Sequence, residues 1–424
     1  MRDLFVTALI FATLPFILAN PFVGILVWCW LGFMNPHKLC WGFAQTFPFA
    51  QIVALATLFS LTMWKEPKKI PWTRETVILL LFTLWMFFTT LLALNPVGAW
   101  EQWNKVWKIM LMALVTAMVI TTPKRIQWVM WVTALSIGFY GVKGGIFTLM
   151  TGGGFMVLGP EMTFIATRGA IALALNMTLP LLRYLQLTAT KPWMRLGLGA
   201  AMALTGLAII GTHSRGGFLG AVATGFVLIL KTRRKFLYSL LLGITAYGIL
   251  SFMPSIWAER METIENYEED ASAMGRINAW WFAFNLAKAR PIGGGLECFR
   301  PWLFRRYAPN PEDVHDAHSI FFEVLGEQGF VGLGLYLALL IMTWRSCTWI
   351  RKNARDASET RWLFDLASMI QASLVGYVVG GAFLGLAYFD LFYHLVVMVV
   401  VSKKLLERHL AGEAVAIGDY QTLG

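Results

Sequence analysis

Residues 318–337, HSIFFEVLGEQGFVGLGLYL, carry the chain out of its one long polar passage straight into apolar helical sequence. The passage behind them, 254–327, holds Gly275-Arg276-Ile277-Asn278-Ala279-Trp280, then Pro291-Ile292-Gly293-Gly294-Gly295, then His315-Asp316-Ala317-His318. Nearly everything else is apolar sequence broken by short turns. The chemistry is therefore expected in this passage, with the apolar spans as its scaffold.

Composition fixes the class. Of 424 residues, 57% are hydrophobic and 14% charged, with a mean hydropathy of +0.61, where a soluble domain carries about 25% charged residues. Such a chain is a polytopic membrane protein, and the fold class expected is all-α. The formal charge of +11 does not mark a nucleic-acid partner, because the lysines and arginines sit in short clusters between apolar spans, the positive-inside pattern. The first apolar stretch lacks a small-residue cleavage site and runs on into more apolar sequence, so no cleavable signal is expected. Four cysteines without metal-ligand spacing give no framework.

A membrane span needs roughly 17 to 25 apolar residues. Residues 3–34 qualify but are broken at Asn20-Pro21, as one kinked helix or two short ones. Further candidates are 47–64, 76–94, 105–120, 126–142, 166–182, 196–211, 216–230, 236–253, 328–344, 366–386 and 388–402, about twelve in all. With the N-terminus inside, the clusters at Lys65 to Arg74, Lys124-Arg125, Arg183 to Arg195, Lys231 to Lys235, Arg345 to Arg361 and Lys403 to Arg408 all fall on the cytoplasmic side. The expected organisation is thus N-terminal spans over 1–253, a long periplasmic loop carrying short helices over 254–327, C-terminal spans over 328–402 and a cytoplasmic tail over 403–424. No internal repeat of the transporter kind is visible. Span centres are almost free of charge; Lys108 is placed near a helix end, where it snorkels, and His394 reads as a packed histidine.

The outer side carries basic residues that the charge rule does not require. Arg215 follows Thr212-His213-Ser214 and precedes Gly216-Gly217; a guanidinium beside glycines suits a lipid phosphate or diphosphate, and it also reads as a snorkelling interfacial arginine. Arg276, Trp280 and Phe284 share one helix face, either a diphosphate and sugar site or an amphipathic helix lying on the membrane. Gly293 to Gly295 lack the Gly-Lys-Ser/Thr of a phosphate loop and are expected to form a tight turn. Arg300, Arg305 and Arg306, and the acidic run Glu265, Glu268, Glu269 and Asp270, read as solvated faces. His315 and His318 lack further ligands at metal spacing, so no metal is expected. His318, at the start of a helix on the membrane surface, suits a general base near neutral pH, against a capping or packed role. On a helix starting there, Glu323 and Glu327 would point away from it.

Ser214-Arg215-Gly216, Gly275-Arg276 with Trp280, residues 291–295 followed by Phe299, and His318-Ser319 leading to Glu327-Gln328-Gly329 and Gly332-Leu333 together resemble the O-antigen ligase and polymerase superfamily. An earlier passage, Lys143-Gly144-Gly145 through Gly159-Pro160 to Arg168 and Ala172-Leu173-Ala174-Leu175, resembles the branch of O-glycosylation ligases associated with exosortase systems, although Arg168 stands where that branch carries asparagine-rich sequence. The resemblance implies a metal-independent, cofactor-free glycosyltransferase of the bacterial inner membrane. It would move glycan from undecaprenyl diphosphate to the lipid A core oligosaccharide on the periplasmic face, with inversion. Arg215 and Arg276 would bind the donor diphosphate and His318 would be the essential histidine, with Arg168, Trp280 and His315 as additional substrate contacts. A polymerase or a protein ligase of the same superfamily, and a lipid-glycan transporter, are the alternatives.

Overall fold

In the computed structural model the described residues are 1–232, 271–413 and 416–420, with isolated positions 236, 240, 243, 248 and 254 between them. The expected span at 236–253 and the acidic run at 265–270 lie outside the described residues. Every regular element among the described residues is helical. In chain order they are α1 Arg2–Ala19, α2 Pro21–Met34, α3 Phe49–Met63, α4 Arg74–Leu91, α5 Pro96–Val119, α6 Pro123–Met150, α7 Arg168–Thr188, α8 Pro192–Gly211, α9 Arg215–Lys231, α10 Ala271–Ala289, α11 Pro301–Tyr307, α12 Ile320–Asn353, α13 Arg361–Gly381 and α14 Asp390–Leu410.

The break at Asn20-Pro21 resolves into two helices. Asn20 adopts an extended conformation and its side chain accepts from Phe22 N at 3.0 Å, while Pro21 occupies the first helical position, where no N–H is needed. Seven helices among the described residues are long and apolar enough to cross a bilayer: α1, α4, α6, α7, α8, α12 and α13. The dozen read from hydropathy is not reached among the described residues; the span expected at 236–253 lies outside them, and the other differences follow from helix length and charge. Helices α2 and α3 are only 14 and 15 residues long, about 21 to 23 Å against a hydrocarbon core of about 30 Å. Helix α9 has 17 residues. Helix α5 begins nine residues before the expected span and takes in Glu101, Asn104 and Lys105, which leaves Lys108 at its middle rather than near an end. Helix α14 runs past 402 to Leu410 through Lys403, Lys404 and Glu407.

The core lies around α7 and α14, most of whose residues are buried. Helix α7 packs on α6, α8, α9 and α13, and α14 on α4, α5, α6, α12 and α13. The outer helices turn Leu55, Phe59, Leu84, Leu196 and Phe226 outward, the surface expected of a protein whose solvent is lipid. His394 is packed inside, its ring edge-on to Phe33 at 5.5 Å with Thr133 Oγ1 at 3.4 Å from Nε2. All four cysteines are free and buried.

Close helix approach depends on small residues. Helices α6 and α8 meet where Gly141 faces Thr205, Gly144 faces Ala208 and Gly145 faces the Leu204 backbone. A Cβ on Gly145 would stand 2.7 Å from the Leu204 carbonyl carbon, which cannot swing aside, whereas one on Gly206 meets nothing within 4 Å. Gly145→Ala is therefore expected to destabilise the purified protein by about 1–3 kcal/mol, and Gly206→Ala to leave it unchanged or slightly more stable. Thermal unfolding in detergent compares the two, and equal behaviour would refute the close crossing.

Candidate active site

Three helices begin at one place. Helix α9 starts with Arg215, capped by Ser214, whose Oγ accepts from Gly217 N at 3.2 Å. Helix α7 starts with Arg168, capped by Thr167, whose Oγ1 accepts from Ala170 N at 3.2 Å. The two starts touch: a Cβ on Gly169 would lie 3.8 Å from Ser214 Oγ, and one on Gly217 2.5 Å from the Ala172 methyl. Helix α12 starts at Ile320 behind Ser319. Helix starts expose unpaired N–H groups and the positive end of the helix dipole, so a cluster of them favours an anion.

The segment that gathers these starts is 382–389, between α13 and α14. Gly216 abuts Phe383 and Leu384, with 3.1 Å between a built Cβ and Phe383 Cβ. Gly169 also faces Leu384, and a Cβ on Gly385 would lie 3.8 Å from His318 Cα. The Phe383 ring lies 6.5 Å from that of Trp280. Hydropathy reads 366–386 and 388–402 as spans with almost no connection. The helices instead stop at Gly381 and resume at Asp390, releasing this segment.

The polar passage supplies the other side. On α10, Asn278 holds the loop that leads to His318: its Nδ2 donates to Asn310 O and Asp313 O, each at 2.8 Å, and its Oδ1 accepts from Asn310 N at 2.9 Å. Trp280 Nε1 donates to Ala317 O at 2.8 Å, and its ring stacks on Phe322 at 5.0 Å. This tryptophan, read as a sugar or lipid platform, has one face taken by Phe322 and its N–H spent on the loop. His315 packs over Gly275 and pairs through Nε2 with Asp313 Oδ1 at 2.8 Å. Arg276, between Gly275 and Asn278 in sequence, lies close enough to act on the charge of His318.

His318 is two residues ahead of its helix and has φ of 43°, a left-handed conformation that costs a non-glycine residue energy. His213 repeats the arrangement, with φ of 53° ahead of Ser214. Its Nε2 lies 2.9 Å from Gly153 O. The His318 imidazole is held below its ordinary 6.5, first by burial, then by the Arg276 charge and by His315, with Asp316 opposing. It is thus a neutral base at physiological pH.

Neither acid of α12 serves His318 directly, as their helical phase implied. Glu323 Oε2 accepts from Ala387 N at 3.0 Å and so pins the 382–389 segment. Glu327 Oε1 accepts from Glu297 N at 2.7 Å, and its Oε2 from Tyr388 Oη at 2.6 Å. The glycine turn docks beside it: Gly293 and Gly295 have φ of 76° and 80°, and Gly294 N and Gly295 N donate to Gly326 O and Glu327 O, each at 2.8 Å. Those carbonyls are available because α12 is kinked at Gly329, with φ of 66° and ψ of −167°. The fastening roles of Asn278, Glu323 and Tyr388 escaped the sequence reading. Asn278 sits two residues from Arg276 with no motif of its own, and Tyr388 lies where hydropathy shows only continuing apolar sequence.

The structure thus brings Arg168, Arg215, Arg276, Trp280, His315 and His318 to one end of the bundle, around one connecting segment. The arrangement combines half-buried guanidiniums and helix starts, which attract an oxyanion, with a neutral imidazole. Residues 200–337 match a family model described as O-Antigen ligase, and residues 1–190 match a family of unknown function. No curated protein matches the chain. The first match takes in Arg215, Arg276, Trp280, His315 and His318, all of them members of the cluster. Over residues 200–337 the chain is thus similar to the O-antigen ligase superfamily.

Proposed function

We propose that the protein is an O-antigen ligase: a glycosyltransferase of the inner membrane that moves glycan from undecaprenyl diphosphate to the lipid A core oligosaccharide, with its site facing the periplasm. The observation that carries this reading is the meeting of Arg215, Arg276 and two helix starts beside a neutral histidine, all inside the matched segment. The positive-inside pattern puts that end of the bundle outside. The passage from Lys143 to Leu175 supports the exosortase-associated branch.

The chemistry follows from charge. The acceptor hydroxyl oxygen bonds to the anomeric carbon of the donor while the bond from that carbon to the diphosphate oxygen breaks, so negative charge grows on the departing diphosphate. Arg215 and Arg276, aided by Arg168 and the helix starts, hold that charge in the role a metal with carboxylates plays elsewhere. His318 takes the hydroxyl proton, and a single displacement inverts the anomeric centre. Trp280 positions the loop that presents His318, and His315, paired with Asp313, shapes the wall beside Arg276.

Losing one preorganised donor costs about 10² to 10³ in rate, and losing a general base about 10² to 10⁴. Arg215→Ala and His318→Ala are thus expected to bring transfer in a reconstituted assay with purified donor and lipid A core below detection, while both proteins remain folded. Normal transfer by His318→Ala would remove the base. Full activity is expected in excess EDTA. In the same assay a shifted lipid product supports ligation, lengthened donor chains would assign the protein as a polymerase, and glycan movement without bond formation would assign it as a transporter.

The pH profile tests His318 separately. Only the neutral imidazole accepts a proton, and its pKa is lowered from 6.5; transfer is expected to be flat above that pH and to fall tenfold per unit once the pH drops below the shifted value. Asp316 raises that value, so Asp316→Asn is expected to move the acid limb to still lower pH. A limb that stays in place would separate His318 from the proton transfer.

A further inference from the structure

Lys231 closes α9 and Arg351 lies in the last turn of α12, so both stand at the end of the bundle away from His318. Both reach inward to one atom. Lys231 Nζ donates to Gln371 Oε1 at 3.0 Å, and Arg351 Nη1 donates to the same oxygen at 2.8 Å. Gln371 is 1% exposed. Its amide nitrogen is held by Thr348 Oγ1 at 2.9 Å and approaches Trp344 O at 3.4 Å, so the shared oxygen is fixed. The two cationic nitrogens are therefore at most about 6 Å apart, in surroundings that screen them poorly.

No carboxylate among the described residues forms an ion pair with either cation; the buried Glu75, which acts with them on Cys347, bonds Ser346 Oγ instead. Among the described residues the ion pairs of this end are Lys124 with Asp419, Arg125 with Glu66, Arg361 with Asp365 and those of the 403–413 stretch, and none includes Lys231 or Arg351. Arg351 lies over the Phe364 ring at 5.5 Å, and its Nε is buried with no acceptor. Two like charges sharing one neutral oxygen, with a further buried donor beside them, are two separate features that favour an anion.

We infer that Lys231 and Arg351, set side by side by Gln371, form a phosphate-binding site at the end of the bundle opposite His318, and that it takes the phosphodiester of an anionic membrane lipid. A lipid is the fitting source because both cations reach this place from helix ends, at the depth where headgroups lie. By the charge rule this is the leaflet rich in anionic lipid. Gln371 is a positioning residue: its oxygen gathers the donors and the phosphate oxygens meet the N–H groups left over. The site stands apart from the proposed transfer chemistry and does not depend on it.

The test uses the full chain in nanodiscs of phosphatidylcholine, alone or with phosphatidylglycerol, read by thermal unfolding. The wild type is expected to gain several degrees from phosphatidylglycerol. Lys231→Met, which removes the repulsion, is expected to unfold at a higher temperature than the wild type in phosphatidylcholine and to lose most of the gain. Gln371→Glu supplies the missing carboxylate and is expected to behave in the same way. Lys352→Met, at an exposed neighbour, is expected to keep the full gain, which separates the site from general surface charge. Stabilisation of the wild type, but not of Lys231→Met, by inorganic phosphate in phosphatidylcholine discs would uphold the phosphate chemistry and make the source soluble. If Lys231→Met and Gln371→Glu gain as much as the wild type from both probes, there is no such site.

Discussion

The docking of the 291–295 turn onto the kink in α12 holds the polar passage to the bundle. A continuous helix has no carbonyls to spare, but the reversal at Gly329 frees those of Gly326 and Glu327, and the turn occupies them with the amides of Gly294 and Gly295. Phe330 N returns the contact to Pro291 O at 3.1 Å. No side chain fits the gap: a Cβ on Gly329 would stand 2.6 Å from the Pro291 carbonyl carbon. Neighbours reinforce the joint, with Leu94 N bonded to Gly294 O at 2.8 Å and Trp85 Nε1 to Gln328 O at 2.9 Å. The described part of the polar passage, 271–327, is thereby joined to the bundle as one wall of the site.

The two walls of the site differ in kind. Arg168 and Arg215 project from the starts of packed helices, whose own dipoles add to their charge. Arg276 and His318 sit on α10 and on the loop that Asn278 and Trp280 tie down. Segment 382–389 lies between, fastened by Glu323 through Ala387 N and by Glu327 through Tyr388. Buried carboxylates thus act as fasteners, while the cations and the imidazole line the site, a division suited to handling an oxyanion.

Much of this was legible from the residues. Apolar periodicity located most helices, since the bilayer forces long uninterrupted runs on a chain. Ser214-Arg215-Gly216, Gly275-Arg276 and His318-Ser319 marked the places that converge in space, because each couples a charged or titratable side chain to a helix start or a glycine. The connection at 382–389 was hidden, because Phe383, Leu384, Leu386, Ala387 and Tyr388 are as apolar as a span and only their backbone departs from a helix. The roles of Asn278 and Glu323 were hidden for another reason. Each acts by bonding to backbone more than 30 residues away, a pairing with no local pattern. The length of α5 was misjudged because charged residues in its first turns resemble a loop.

The reversal at Gly329 also divides the packing of α12. Residues 320–328 bond the turn and segment 382–389, whereas beyond the kink Tyr336 bonds Tyr377 of α13 and packs on Phe392 of α14. Arg215 belongs to a different unit, seated on α7 and α13. A molecule gripped by cations of both units would straddle a seam closed by one short strip of linker, and the thickness of whatever can settle there is gauged by that strip.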